Sequence, residues 1–205
     1  MDYIKKNAEN NYILDYHLID LKIQYLKDFL IENDLLLSNI SDKIIFKAQS
    51  IESLDNYLKN NFLHDKYIEK FIYNLGSQIM NLKKYNFGIL YFSLKDIVII
   101  NSNIFLFINP NKLFSLGANN LHNTLSSFKN KNSNDEDFIP PELKNTLNSS
   151  ILNLARGEVF SYYSLAKIIL FTFNLELENL YYTKLYFFLN RCLESTPNKR
   201  IFLYV

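Results

Sequence analysis

Tryptophan is absent from this 205-residue chain, and cysteine occurs once, at Cys192. A single thiol closes no internal disulfide, which fits a reducing compartment. Three scattered histidines (His17, His64, His122) and that one cysteine do not supply the ligand set of a structural zinc site. Net charge is nearly absent too. With 22 basic and 21 acidic residues the formal value is +1, so no long-range field draws the chain toward nucleic acid. No apolar run is long enough to span a bilayer, the most apolar stretch being broken by Glu176, Glu178 and Lys184. The opening MDYIKKNAENNYILDYHLID is too polar for a signal peptide. Glycine and proline number four each, which excludes a low-complexity chain. These absences lead to the expectation of a cytoplasmic protein with no membrane span and no metal.

What is present is core-forming material. Hydrophobic residues make up 48% of the chain, including 17 Phe and 15 Tyr, enough for one domain with a small appendage. Asparagine is in excess at 28, while arginine falls to three against 19 lysines. This bias reads as the imprint of an AT-rich genome rather than a selected chemistry.

Periodicity divides the chain. Leu14, Leu18, Leu21, Tyr25 and Phe29 recur at three- and four-residue steps, predicting a helix over 14–30. KIIFK at 43–47 reads as a short strand, and Ser53 caps a short helix through Leu58. A longer helix starts near Asp65 and stacks Ile68, Phe71, Ile72, Leu75, Ile79 and Leu82 on one face, ending near Asn86-Phe87-Gly88. Ile97–Ile100 and Ile104–Ile108 flank Asn101-Ser102-Asn103 as a β-hairpin, apolar enough to be covered on both faces. SSFKNKNSNDED at 126–137 reads as a loop, stopped by Pro140-Pro141. Helical patterns return over 162–173 and 180–193.

Five segments, in order, resemble the C-terminal lobe of a eukaryotic-type protein kinase. The helix at 65–86 is similar to the one before the catalytic loop, and GILYFSLKDIVII at 88–100 to that loop and its following strand. FIPPE at 138–142 resembles the Ala-Pro-Glu close of the activation segment, and SYYSLAKIILF at 161–171 the buried central helix. LYFFLNRCLESTPNKR at 185–200 resembles the last large helices. KIIFKAQSIESLDNYL resembles the strand, hinge and first helix that join the two lobes. In composition the chain is similar to reduced kinase-like proteins of large cytoplasmic DNA viruses.

Position by position, the resemblance implies a scaffold without its chemistry. The catalytic His-Arg-Asp falls on Tyr91, Phe92 and Ser93, and a hydroxyl does not serve as the base that phosphoryl transfer uses. Lys95 matches the loop lysine that contacts the transferred phosphate. The magnesium-binding asparagine falls on Val98 and the metal-binding aspartate on Asn109, with Asn111 as the neighbouring choice. The first glycine is Gly76, so no glycine-rich loop precedes the long helix. In the central helix Ser161 stands for an aspartate that accepts hydrogen bonds from the catalytic loop, followed by Leu165 and by Ala166 in place of a glycine. Glu142 and Arg200 take the positions of an ion pair that clamps the activation segment to the helical lobe. Cys192 lies in an apolar helical pattern and reads as a small core residue.

The expected fold is α+β and mostly helical, a kinase-like C-lobe over 46–205. Residues 1–45 are expected as a helical segment or the remnant of a reduced or absent small lobe. The expected function is non-catalytic: protein binding or a structural, assembly role, with no cofactor and no nucleic acid. The implied partner is a protein, either a virion protein or a second copy of the chain, in host cytoplasm or virion if the chain is viral. The exposed face that a missing small lobe would leave is the implied docking surface. The alternative is a divergent nucleotide binder or phosphotransferase using Lys95, with Asp96 as the nearest acid. That enzyme would need Lys95, Asn109 and an acid gathered on one cleft.

Overall fold

Tyr12, Ile13, Leu14 and Asp15 find their partners 28 to 34 residues later, opposite Phe46, Ile45, Ile44 and Lys43. The computed structural model, which describes residues 4–7, 9, 11–15, 21–40, 43–116, 136–145 and 157–204, builds an antiparallel sheet around this pairing. Its strands are β1 (Ile4–Lys6), β2 (Tyr12–Asp15), β3 (Leu36–Ile40) and β4 (Lys43–Phe46), in the order β1-β2-β4-β3. Between β2 and β3 runs helix α1 (Leu21–Glu32). Leu14, Ile44 and Phe46 are buried together with Tyr25, Leu26, Phe29 and Leu30 of α1, which closes one face of the sheet.

The N-terminal region therefore differs from a helix over 14–30. Leu14 belongs to a strand, and the helix begins only at Leu21. The seven-residue spacing of Leu14 and Leu21 joins a strand residue to a helix start, and long-range pairing overrides the local period. Among the described residues, the first 46 make a four-stranded sheet with one helix.

Residues 47–50 lead into β5 (Ile51–Ser53) and α2 (Leu54–Asn60), whose first turn Ser53 caps by accepting from the Asn56 amide at 3.3 Å. The long helix α3 (Ile68–Lys84) follows, then β6 (Phe87–Ile89). The hairpin is β7 (Ile97–Ile100) and β8 (Ile104–Phe107), and β5 pairs with β7 to give the order β5-β7-β8. All four residues of β7 are buried, so both faces of this strand are covered. Strand β9 (Leu113–Ser115) pairs antiparallel with β6.

An edge strand inside a core leaves backbone groups without partners. Helix α3 solves this for β8 with two buried amides. Asn74 Oδ1 accepts from the Phe105 amide at 3.1 Å, Gln78 Oε1 accepts from the Phe107 amide at 2.9 Å, and Gln78 Nε2 donates to the Phe105 carbonyl at 3.0 Å. On the same strand the Tyr25 hydroxyl donates to the Phe107 carbonyl at 3.4 Å, tying α1 to the hairpin.

The C-terminal part comprises α4 (Pro141–Asn145), α5 (Glu158–Thr172) and α6 (Lys184–Cys192). Helix α5 is apolar around most of its circumference and is buried over Glu158–Tyr162, which makes it the central helix. The last turn and extended tail fold back: Phe202 packs on Tyr162 and Phe188, and the Tyr204 hydroxyl meets Glu69 at 3.3 Å. The loop predicted over 126–137 lies, up to residue 135, outside the described residues.

The asparagine excess acquires a structural use here. Asn86 after α3, Asn101 in the hairpin turn and Asn174 after α5 all adopt positive φ, at 59°, 50° and 50°. In a chain with four glycines, asparagine is the residue after glycine that enters this left-handed region most readily. Asn101 also accepts from the Gln49 amide at 2.7 Å, fixing the hairpin tip to the connection that leads into β5.

Candidate functional site

The segment from Leu90 to Asp96 joins β6 to β7 and is held from both sides. On one side stand two hydroxyls of α5. Ser161 Oγ donates to the Ile89 carbonyl at 2.8 Å and accepts from its amide at 3.2 Å. One turn on, Ser164 Oγ accepts from the Phe92 amide at 2.7 Å. On the other side the backbone locks to the segment after β8. The Leu90 amide donates to the Lys112 carbonyl at 3.0 Å, and the Ile108 amide to the Asp96 carbonyl at 2.9 Å.

These two locked segments bring four polar side chains together under the hairpin. Asp96 is the hub. Its Oδ2 accepts from Ser93 Oγ at 2.8 Å and is ion-paired with Lys112 Nζ. Its Oδ1 accepts from Asn109 Nδ2 at 2.7 Å. The orientation of Asn109 is fixed by its other end, where Oδ1 accepts from the Asn111 amide at 3.0 Å. Lys112 Nζ also lies 3.7 Å from the centre of the Tyr91 ring. Both charges are buried, with side-chain exposures of 7% for Lys112 and 11% for Asp96. The negative charge of Asp96, after burial itself, raises the Tyr25 phenol well above its ordinary range, so that hydroxyl stays neutral.

The positions singled out in the sequence fall as follows. Ser93 and Asn109 meet at Asp96. Lys95 is exposed, whereas its neighbour Asp96 is buried. Val98 is inside β7, paired with Ser53 and Leu106, and reaches no polar group of the site. The acid beside Asn109 is Asp96, which precedes β7. Leu165 and Ala166 are fully buried in α5. Asp96 and Lys112 together, and Ser164 with Ser161, are the groups that sequence reasoning did not assemble. The Ser-x-x-Ser spacing of 161 and 164 was the available signal for the second, since it puts both hydroxyls on one helix face.

Glu142 and Arg200 meet. Arg200 is fully buried and grips the carboxylate with both terminal nitrogens, Nη1 to Oε1 and Nη2 to Oε2, the latter at 2.9 Å. Its Nε donates to the Glu194 carbonyl at 2.9 Å and Nη1 also reaches the Val159 carbonyl at 3.3 Å. The guanidinium lies 4.8 Å from the Tyr163 ring centre. Five contacts of one side chain thus join α4, the start of α5 and the turn after α6. Cys192 is buried in α6 with its thiol pushed up to about 12, chiefly by burial.

Comparison with known proteins adds no family: no family model matches the chain, and no curated protein matches it. Among the described residues no helix is long and apolar enough to cross a membrane.

Proposed function

We propose that this chain is a non-catalytic, kinase-like protein that acts by binding protein, as a structural or assembly component. The observation that carries the reading is the saturation of Asp96 by Ser93, Asn109 and Lys112. A working kinase uses a loop aspartate to take the substrate proton, an aspartate and an asparagine to hold magnesium, and a lysine on the third strand paired with the following helix. Ser93 here donates its own proton to Asp96. The strand before α1 ends in Asp15 where that lysine is required, and Asp28 of α1 is bonded to Tyr85 at 2.7 Å and to Gln24 at 2.9 Å.

Magnesium does not fit the residues present. The ion takes oxygen ligands, yet Asn109 turns its amide nitrogen toward Asp96 and an ammonium already faces the carboxylate. What supports the kinase-like part is order: a sheet with one inserted helix, a short connection at 47–50, the long α3, the loop before a hairpin, the buried α5 and the Glu142–Arg200 clamp.

The protein-binding part has a surface to rest on. Helix α1 covers α3 from within the chain, with Asn81 Nδ2 of α3 donating to Glu32 Oε1 of α1 at 3.4 Å. The exposed aromatic group lies around the start of α6, where Tyr181, Tyr182, Tyr186 and Phe187 stack at centroid separations from 4.8 to 6.3 Å. Tyr182 is 91% exposed and held at φ 65°. Exposed tyrosines and phenylalanines in one patch are the usual anchors of protein interfaces. Virion proteins or a second copy of this chain are the partners this reading favours.

Incubation of the purified protein with γ-labelled ATP and Mg²⁺ or Mn²⁺ tests it. Phosphate release and transfer should match a protein-free blank. Turnover that disappears in Lys95→Ala would overturn the reading in favour of a phosphotransferase.

A further inference from the structure

Bulky side chains rarely take a positive φ, yet Tyr182 does so at 65° while 91% exposed. At the other positive-φ positions among the described residues stand Asp34, Asn86, Asn101, Ser102 and Asn174, small polar side chains. A ring that solvent surrounds gains little from its own fold, so its use lies in what it meets outside. Arg191 is a second such choice. It is exposed in the last turn of α6, in a chain where lysine serves the ordinary surface. A guanidinium differs from an ammonium in stacking on rings and in gripping carboxylates. Among the described residues, no ring or carboxylate of its own chain holds it.

Lys184, Phe187 and Arg191 recur at three- and four-residue steps and share the exposed face of α6, with Phe187 in the middle. Arg191 lies about 6 Å along the axis beyond Phe187, and the N-cap Thr183 the same distance before it. Just outside the cap stands Tyr182, and the turn Leu177–Leu180 that packs on α6 carries exposed Glu178. The face thus ends in a cation on one side and in a ring and a carboxylate on the other. A half-turn about Phe187 lays each end on the opposite end of an identical face, as a closed dimer requires. Lys184 then falls opposite the amide of Asn190 in the second copy.

We propose that the exposed face of α6 is where two copies of this chain pair, antiparallel about a two-fold axis at Phe187, each Arg191 set on Tyr182 and Glu178 of the other copy. This rests on the protein-binding reading above and commits it to one partner.

Sedimentation velocity from low to high micromolar concentration tests the pairing. The natural chain should sediment as a dimer. Phe187→Glu sets two carboxylates against each other at the axis and should weaken association roughly 100-fold or more. Tyr182→Asn keeps the turn, removes the ring and should weaken it by roughly tenfold or more. Arg191→Glu and Glu178→Arg should each be monomeric when alone. Mixed, the two should dimerise as the natural chain does, because each cation then faces a carboxylate across the axis; a contact within one chain gives no such rescue. These side chains face solvent, so circular dichroism of the variants should match the natural chain. A monomeric natural chain, a dimer that Phe187→Glu leaves intact, or a mixture that fails to associate would overturn the proposal and leave protein binding to other partners. Phosphate transfer from ATP would refute the proposed function and leave the dimer as it is.

Discussion

Replacing Arg200 with alanine removes a side chain that joins three segments of the C-terminal part. Glu142 loses both partners of a bidentate pair, and the carbonyls of Glu194 and Val159 lose their donors. Breaking a buried ion pair from one side costs about 3–5 kcal/mol, because the remaining charge stays desolvated. Glu142 keeps a side-chain exposure of 15%, so water relieves part of that penalty. The two carbonyls, each a buried acceptor left open, add about 1–2 kcal/mol together. The sum, roughly 4–6 kcal/mol, is a large part of the 5–15 kcal/mol that a domain has in all. Urea denaturation followed by circular dichroism should then move its midpoint down by about 2 M, given slopes of about 2–3 kcal/mol per M. Lys84→Ala, on the exposed end of α3 with one bond to Asn81 at 2.8 Å, should move it by less than about 0.3 M. Glu142→Gln in the Arg200→Ala background should restore part of the loss by removing the orphaned charge. Equal midpoints for Arg200→Ala and Lys84→Ala would refute the clamp.

The tail and the thiol give two further tests. A Cβ on Gly76 would stand 2.9 Å from Phe202 Cε1 and closer still to Cζ, so Gly76→Ala should expel the tail. The expected cost is about 1–3 kcal/mol, with faster amide exchange over 201–204; unchanged exchange there would contradict it. Burial raises Cys192 from an ordinary value near 9 to about 12, so the native thiol keeps its proton where the unfolded one has lost it. Stability from this group is full below pH 9 and falls as pH rises from 9 to 12. Tyr25, Tyr163 and Tyr204 are raised as well, chiefly by burial, and add to the same alkaline loss. Denaturation midpoints that stay level from pH 9 to 11 would show the thiol to be accessible, as would rapid alkylation of the native protein at pH 8.

Local patterns carried part of this structure and long-range ones hid the rest. The Ser53 cap, the apolar face of α3 and the Asn101-Ser102 hairpin are written in neighbouring residues, and the sequence reading meets them within a residue or two. Arg200 stood out because arginine is scarce where lysine would have served an ordinary surface. The N-terminal sheet did not stand out, since β2 needs β4 some thirty residues away and Leu14 mimics a helical step with Leu18 and Leu21. The site was read partly through a borrowed spacing, which put a ligand position on Val98. Val98 lies inside the strand read at Ile97–Ile100, and only the closure of the segment after β8 brings Asn109 and Lys112 to Asp96.

The central claim is that the chain's own side chains complete the site where a kinase would bind metal and nucleotide. A thermal melt of the natural chain with and without 1 mM Mg-ATP asks this most directly. The account predicts the same melting temperature, within about 1 °C, in both. A ligand present at about a hundred times its dissociation constant would stabilise the fold by about 2.7 kcal/mol, or roughly 5–10 °C, and a rise of that size would contradict it.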